Sequence, residues 1–213
     1  MSDFKKYIDK ERKRNMKIDV EKYVNATYGL ISMLDDRKES VEAMLESIGD
    51  RYFSCPASTK EDYHGAYPGG LVMHSVEQTK LLMKMHSALS IDDEDVSKSS
   101  LILCGLFHDI GKIGTLDGVP QYIVQDDEWR RNKLGEMYKW NEELKDGLTH
   151  AQRSVRILMQ SSVKLSNQEY DSILHHDGLY VPENQNKEVL YSKNKLYRLL
   201  SFTDSWITFV EKT

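Results

Sequence analysis

The stretch Leu106-Phe107-His108-Asp109-Ile110-Gly111-Lys112 constrains the fold of this chain more tightly than any other. An imidazole and a carboxylate sit side by side at the end of an apolar run, and a glycine and a lysine follow at once. Ser97 to Ile110 reads as a buried helix, because Leu101, Cys104 and Gly105 share a face with His108. The His-Asp pair offers one nitrogen and up to two oxygens to a cation, and Lys112 offers a positive charge one turn on. Neighbours on a helix stand ~100° apart, so the two can serve adjacent ion positions if the carboxylate of Asp109 bridges. A His-Asp pair alone means little. Its weight depends on matching groups elsewhere.

Those groups exist. Leu71 to Leu89 reads as a helix with His74 near its start. Thr149-His150-Ala151-Gln152 fits a capping box and puts His150 in the first turn of a helix through Met159. Ser166-Asn167-Gln168-Glu169 fits another, opening a helix that ends at His175-His176-Asp177-Gly178. Asn194 to Lys212 forms the last helix, and Asp204 sits in the middle of its apolar sequence. A buried carboxylate there costs several kcal/mol unless it is paired or bound to a cation. The candidate set is therefore His74, His108, Asp109, His150, His175, His176 and Asp204, which takes five of the seven histidines. Of His175 and His176, one is expected as a ligand and the other as an outer or substrate contact. His86, rotated away from His74, is expected on the surface. Imidazole and carboxylate without thiolate suit one or two divalent ions (Mn, Fe, Mg, Ni or Zn), with phosphoester chemistry a natural use.

The rest of the chain sets bounds. At 213 residues it reads as one main domain, and 12 glycines against 4 prolines lean towards helix. A net charge of −5 argues against wrapping duplex nucleic acid. Cys55 and Cys104 form no CxxC pair, which argues against a thiolate zinc site. The first residues lack the apolar core of a signal peptide, and no apolar run approaches the ~20 residues of a membrane span. A cytoplasmic protein without membrane contact is the expectation. Residues 3–17 carry seven bases and read as a solvated helix, with a nucleic-acid arm as the sharper alternative. Val20 to Ile48 reads as two amphipathic helices broken near Asp35-Asp36, so residues 1–50 form an N-terminal helical segment packing on the core. Arg51 to Gly70 is loop chemistry, long enough to suggest function. Residues 114–148 resist one period: Gln121 to Val124 reads as a strand, and a short helix is expected through Tyr138 and Trp140. Trp129, Tyr138 and Trp140 either stack a base or pack this insertion onto the core.

In this order the motifs resemble the HD superfamily of metal-dependent phosphohydrolases. Gly69-Gly70-Leu71-Val72-Met73-His74-Ser75 is similar to its first-histidine motif, Phe107-His108-Asp109-Ile110-Gly111-Lys112 to its name-giving motif, and Phe202-Thr203-Asp204 to its final aspartate. The resemblance implies an all-α, HD-domain helical bundle over 51–213, with a partly irregular insertion at about 114–148. It implies that His74, His108, Asp109 and Asp204 hold a first metal, and that His150 with one of the 175–176 pair holds a second. Catalysis would fall to Asp109, Lys112 and His108. The implied activity is hydrolysis of a phosphoester or phosphoanhydride of a nucleotide, a mono- or triphosphate being favoured. A short oligonucleotide or cyclic nucleotide is the enzymatic alternative, and a nucleotide-binding regulatory module the non-enzymatic one. His64-Gly65-Ala66-Tyr67-Pro68-Gly69-Gly70 is similar to the lead-in of a 3′-to-5′ exoribonuclease branch, whereas the Gly-Tyr-Pro signature of the cyclic-di-GMP branch is missing after Lys112. Lys112, His64, Arg130, Arg131 and Lys133 are the candidate contacts to substrate phosphate. Homo-oligomerisation is left open.

Overall fold

The computed structural model describes residues 18–190 and 192–211, so the basic run at 3–17 lies outside them. The described chain is a helical bundle with one two-stranded insertion. Two helices lead: α1 (Val20–Ile31), capped by the Asp19 side chain, and α2 (Lys38–Ile48), which ends at Gly49 with φ +58°. A glycine accepts that left-handed backbone without a Cβ clash. The break between them falls at 32–37, around Asp35-Asp36. One turn of helix follows, α3 (Arg51–Ser54), where loop chemistry alone was expected. Tyr52 explains it: the ring is wholly buried and its hydroxyl donates to the Leu106 carbonyl at 2.7 Å.

Two central helices, α4 (Gly70–Ala88) and α5 (Lys98–Phe107), carry much of the core, with Val72, Val76 and Leu82 on one and Leu101 to Phe107 on the other. They approach closely at Gly105, where a Cβ would stand 2.9 Å from the Thr79 Cα. That contact brings the His74 and His108 stretches together. Helix α5 ends earlier than its apolar run suggests. His108 caps it, Asp109 leaves helical geometry at φ −103°, and Ile110–Ile113 form a 3-10 turn. His86, expected at the surface, is buried in the last turn of α4. That turn is still enclosed by the bundle, and position on the helix wheel alone does not reveal it.

Both capping boxes form as read, at Thr149 for α7 (His150–Gln160, following the insertion) and at Ser166 for α8 (Asn167–Leu174). The insertion holds β1 (Tyr122–Val124), α6 (Glu128–Leu134) and β2 (Tyr138–Trp140). Tyr138 to Trp140 is thus a strand and not the helix expected. Gly135, left-handed at φ +63°, stops α6 and turns the chain back, and the strands pair antiparallel with Tyr122 opposite Trp140 and Val124 opposite Tyr138. After α9 (Lys187–Leu190), the last helix α10 (Lys195–Trp206) continues as a π-helical turn, Ile207–Glu211.

Two buried arginines tie these parts together. Arg37 bridges Glu169 of α8 at 2.6 Å and Ser99 of α5 at 2.6 Å. Arg153 of α7, 1% exposed, donates to Gly111 O at 2.9 Å, to Gln121 Oε1 at 2.6 Å and to both carboxylate oxygens of Asp146. One guanidinium therefore holds the turn after His108-Asp109, the start of β1 and the end of the insertion. The far edge of the insertion meets the 58–61 loop through Met137 N to Thr59 O at 2.9 Å and Glu61 N to Gly135 O at 2.7 Å. Among the described residues no helix is long and apolar enough to cross a membrane.

Candidate metal centre

Six of the seven predicted residues converge, drawn from five parts of the chain. His74 comes from α4, His108 and Asp109 from the end of α5, His150 from the first turn of α7, His176 from the turn after α8, and Asp204 from α10. His74 Nε2 lies 3.3 Å from His108 Nε2 and 3.1 Å from Asp204 Oδ1. His150 Nε2 and His176 Nε2 are also 3.3 Å apart. Asp109 stands between these groups and turns one oxygen to each. Its Oδ2 is 3.7 Å from His74 Nε2 and 3.6 Å from His108 Nε2, while its Oδ1 is 3.2 Å from His150 Nε2 and 3.3 Å from His176 Nε2.

His175 is turned away. Its Nδ1 meets the Asp171 carbonyl at 2.9 Å and its ring packs edge-on against Tyr197. Its neighbour Asp177, absent from the predicted set, is drawn in: Asp177 Oδ2 lies 3.3 Å from His150 Nε2 and Oδ1 lies 3.8 Å from His176 Nε2. The only sequence signal for it is its place beside the His pair at a glycine turn. His64 stands next to the centre, its ring 4.7 Å from that of His74. Burial first, and then His74 and Lys112, push its pKa down to about 3, so the ring is neutral. Arg130 and Arg131 are engaged inside the insertion, with Glu136 at 2.9 Å and Gln125 O at 2.9 Å, and Lys133 is exposed on α6. None of these contacts reaches the His-Asp cluster.

Backbone carbonyls orient two of the rings. Gly105 O is 3.0 Å from His108 Nδ1 and Ile173 O is 2.7 Å from His176 Nδ1. Only a ring nitrogen bearing a proton satisfies such a contact, so once either ring is neutral its Nε2 is the nitrogen left to give a lone pair to an ion. Ring nitrogens and carboxylate oxygens thus crowd together in a site where His74, His108, Asp109 and His176 are at most 2% exposed. Such a collection is costly without a cation. Burial pushes the Asp109 carboxyl up, but Lys112, His108, His150 and His176 outweigh it and hold it well below the usual carboxylate range. Lys112 Nζ donates to Asp109 Oδ2 at 2.6 Å, yet Oδ1 accepts no hydrogen bond. The donor set fits a metal. Ligand bonds of about 2.1 Å give edges of roughly 3.0–3.4 Å between adjacent donors, and most spacings here lie near that range. The more open side is formed by Asp204, His150 and Asp177, which are 18–25% exposed.

No protein-family model, curated protein or solved structure matches the chain. The geometry itself identifies an all-α domain whose clustered histidines and aspartates can chelate a metal ion.

Proposed function

We propose that this protein is a metal-dependent phosphohydrolase of the HD type, acting on a phosphoester or phosphoanhydride bond of a nucleotide. The observation that carries the reading is the Asp109 carboxylate, buried and divided between two imidazole groups, one joined by Asp204 and the other by Asp177. On this reading His74, His108, Asp109 and Asp204 hold one divalent ion, and Asp109, His150, His176 and Asp177 hold a second. Bound divalent ions supply charge for phosphoryl oxygens and make a water acidic enough to attack near neutral pH.

The chain's own groups do the remaining work. Asp109 fixes the spacing between the two halves of the centre. Lys112, at 2.6 Å from Asp109, stays protonated because burial, which lowers its pKa, is outweighed by Asp109 and Tyr122. With the Asp109 charge shared by bound ions, the Lys112 ammonium would be available to a phosphate oxygen and would stabilise the charge developing there. Gly105 O and Ile173 O hold the His108 and His176 rings by Nδ1 and keep Nε2 of each directed at the centre.

The test is metal analysis of the purified protein joined to a product-resolved screen of nucleoside mono- and triphosphates, cyclic dinucleotides and short RNAs. Metal-dependent release of phosphate or a nucleotide, lost in Asp109→Ala, is expected. An Asp109→Ala protein with full metal content and full activity would sink the reading.

A further inference from the structure

The insertion carries an aromatic pair that the proposed chemistry leaves unused. Trp140 on β2 is 59% exposed, and it lies directly across the sheet from Tyr122 on β1, their rings 5.4 Å apart and nearly perpendicular. A large exposed indole held by a ring beneath it has little mobility to lose on contact with a planar ligand. Tyr122 follows Gln121, which shares the Arg153 guanidinium with Gly111, one residue before Lys112. Its phenol lies in the field of Lys112 and Asp109. Tyr122 therefore joins Trp140 to the segment that Arg153 ties to the turn carrying Lys112.

Trp140 also lines an open pocket on the insertion. The pocket encloses about 500 Å³, and its charged lining is balanced, Lys60, Arg130 and Lys139 against Asp126, Asp127 and Glu136. The bases are engaged: Arg130 with Glu136 at 2.9 Å, Lys139 with Asp126 at 2.7 Å and Lys60 with Glu136 at 3.7 Å. A phosphate gains little from cations already paired, whereas a neutral, flat, hydrogen-bonding group matches an indole rimmed by mixed polar groups.

We propose that Trp140, backed by Tyr122, is the platform on which the base of a nucleotide stacks while its phosphate lies beside Lys112. This rests on the phosphohydrolase reading for the phosphate end, but the stacking itself is measurable as binding. Trp140 is a specificity residue, distinct from the groups that meet the reacting bond.

Calorimetry on the metal-loaded protein tests it, with an uncleavable phosphonate analogue of AMP and with ribose 5-phosphonate as the base-free partner. Stacking of a base on an aromatic ring contributes about tenfold in affinity towards the lower end of its usual range. Trp140→Ala is expected to weaken the AMP analogue about tenfold and leave ribose 5-phosphonate unchanged, and Trp140→Phe is expected to restore much of the loss. The proposal is overturned if Trp140→Ala binds the AMP analogue like wild type, if it loses both ligands equally, or if wild type does not prefer the analogue carrying the base. Failure of the phosphohydrolase reading looks different: base discrimination persists, but no nucleotide is cleaved.

Discussion

Gly111 and His150 meet backbone to backbone, so closely that a Cβ on Gly111 would stand 2.0 Å from the His150 carbonyl oxygen. The Gly111 N–H also donates to Ser154 Oγ at 2.8 Å. The glycine after His108-Asp109 thus sets how near α7 comes and where His150 falls against Asp109. Gly111→Ala is expected to cost about 1–3 kcal/mol, as overpacking against backbone does, and to move His150 outwards. Thermal unfolding combined with metal analysis checks this. A variant with unchanged melting temperature and unchanged metal content would contradict it.

Lys112 and Asp109 form a buried pair at 2.6 Å. Removing the cation leaves the carboxylate uncompensated, which typically costs about 3–5 kcal/mol. Lys112→Met is therefore expected to be markedly less stable than wild type in a chelator. Added divalent ions should then stabilise the variant more than they stabilise wild type, because an ion replaces the missing charge. Equal gains in denaturant midpoint for the two proteins would argue against an ion at Asp109.

Asp204 and Asp177 stand at opposite ends of the centre, near His74 and His150 respectively. Asp204→Asn and Asp177→Asn are each expected to weaken one ion by about tenfold or more and to leave the other. Titration against a chromophoric chelator resolves the two. Identical losses in both variants would mean one shared ion.

Acid stability should report on Asp146. The Arg153 hydrogen bonds, acting against burial and helped by Leu148 and Arg156, hold its pKa down to about 2 from an ordinary 3.8. A depressed carboxylate contributes its stabilisation in full above the unfolded value. The contribution is then lost as pH falls from 3.8 towards 2. It amounts to about 2 kcal/mol. Asp146→Asn should be less stable than wild type at neutral pH, with the gap closing over that acid window. A gap that stays constant down to pH 2 would refute the assignment.

Much of the centre was legible because its chemistry is local. A carboxylate inside an apolar helix, as at Asp204, needs a cation wherever the helix packs, and the two capping boxes fix the phase of α7 and α8 from four residues each. The choice between His175 and His176 was not legible. It depends on how the chain leaves α8, where His175 adopts φ −111° and the next ring swings inwards. Asp177 entered by the same turn. The insertion defeated periodicity because its strands are three residues long and their register is set by distant partners, among them Thr59. Arg153 gave no sign at all, since a charged residue on an amphipathic helix ordinarily faces water. Its burial becomes intelligible only with Asp146, Gln121 and Gly111 around it.

The divided carboxylate of Asp109 has a thermodynamic consequence. On the two-ion reading, an ion held at one oxygen would draw electron density from the other, and a second would meet both a poorer donor and a positive neighbour. Uptake of two ions by this centre would therefore be negatively cooperative, spread over a wider span of free metal concentration than two independent sites would need. Occupancy would then follow the metal supply as a graded dial, with a singly loaded form prevailing over the middle of its range.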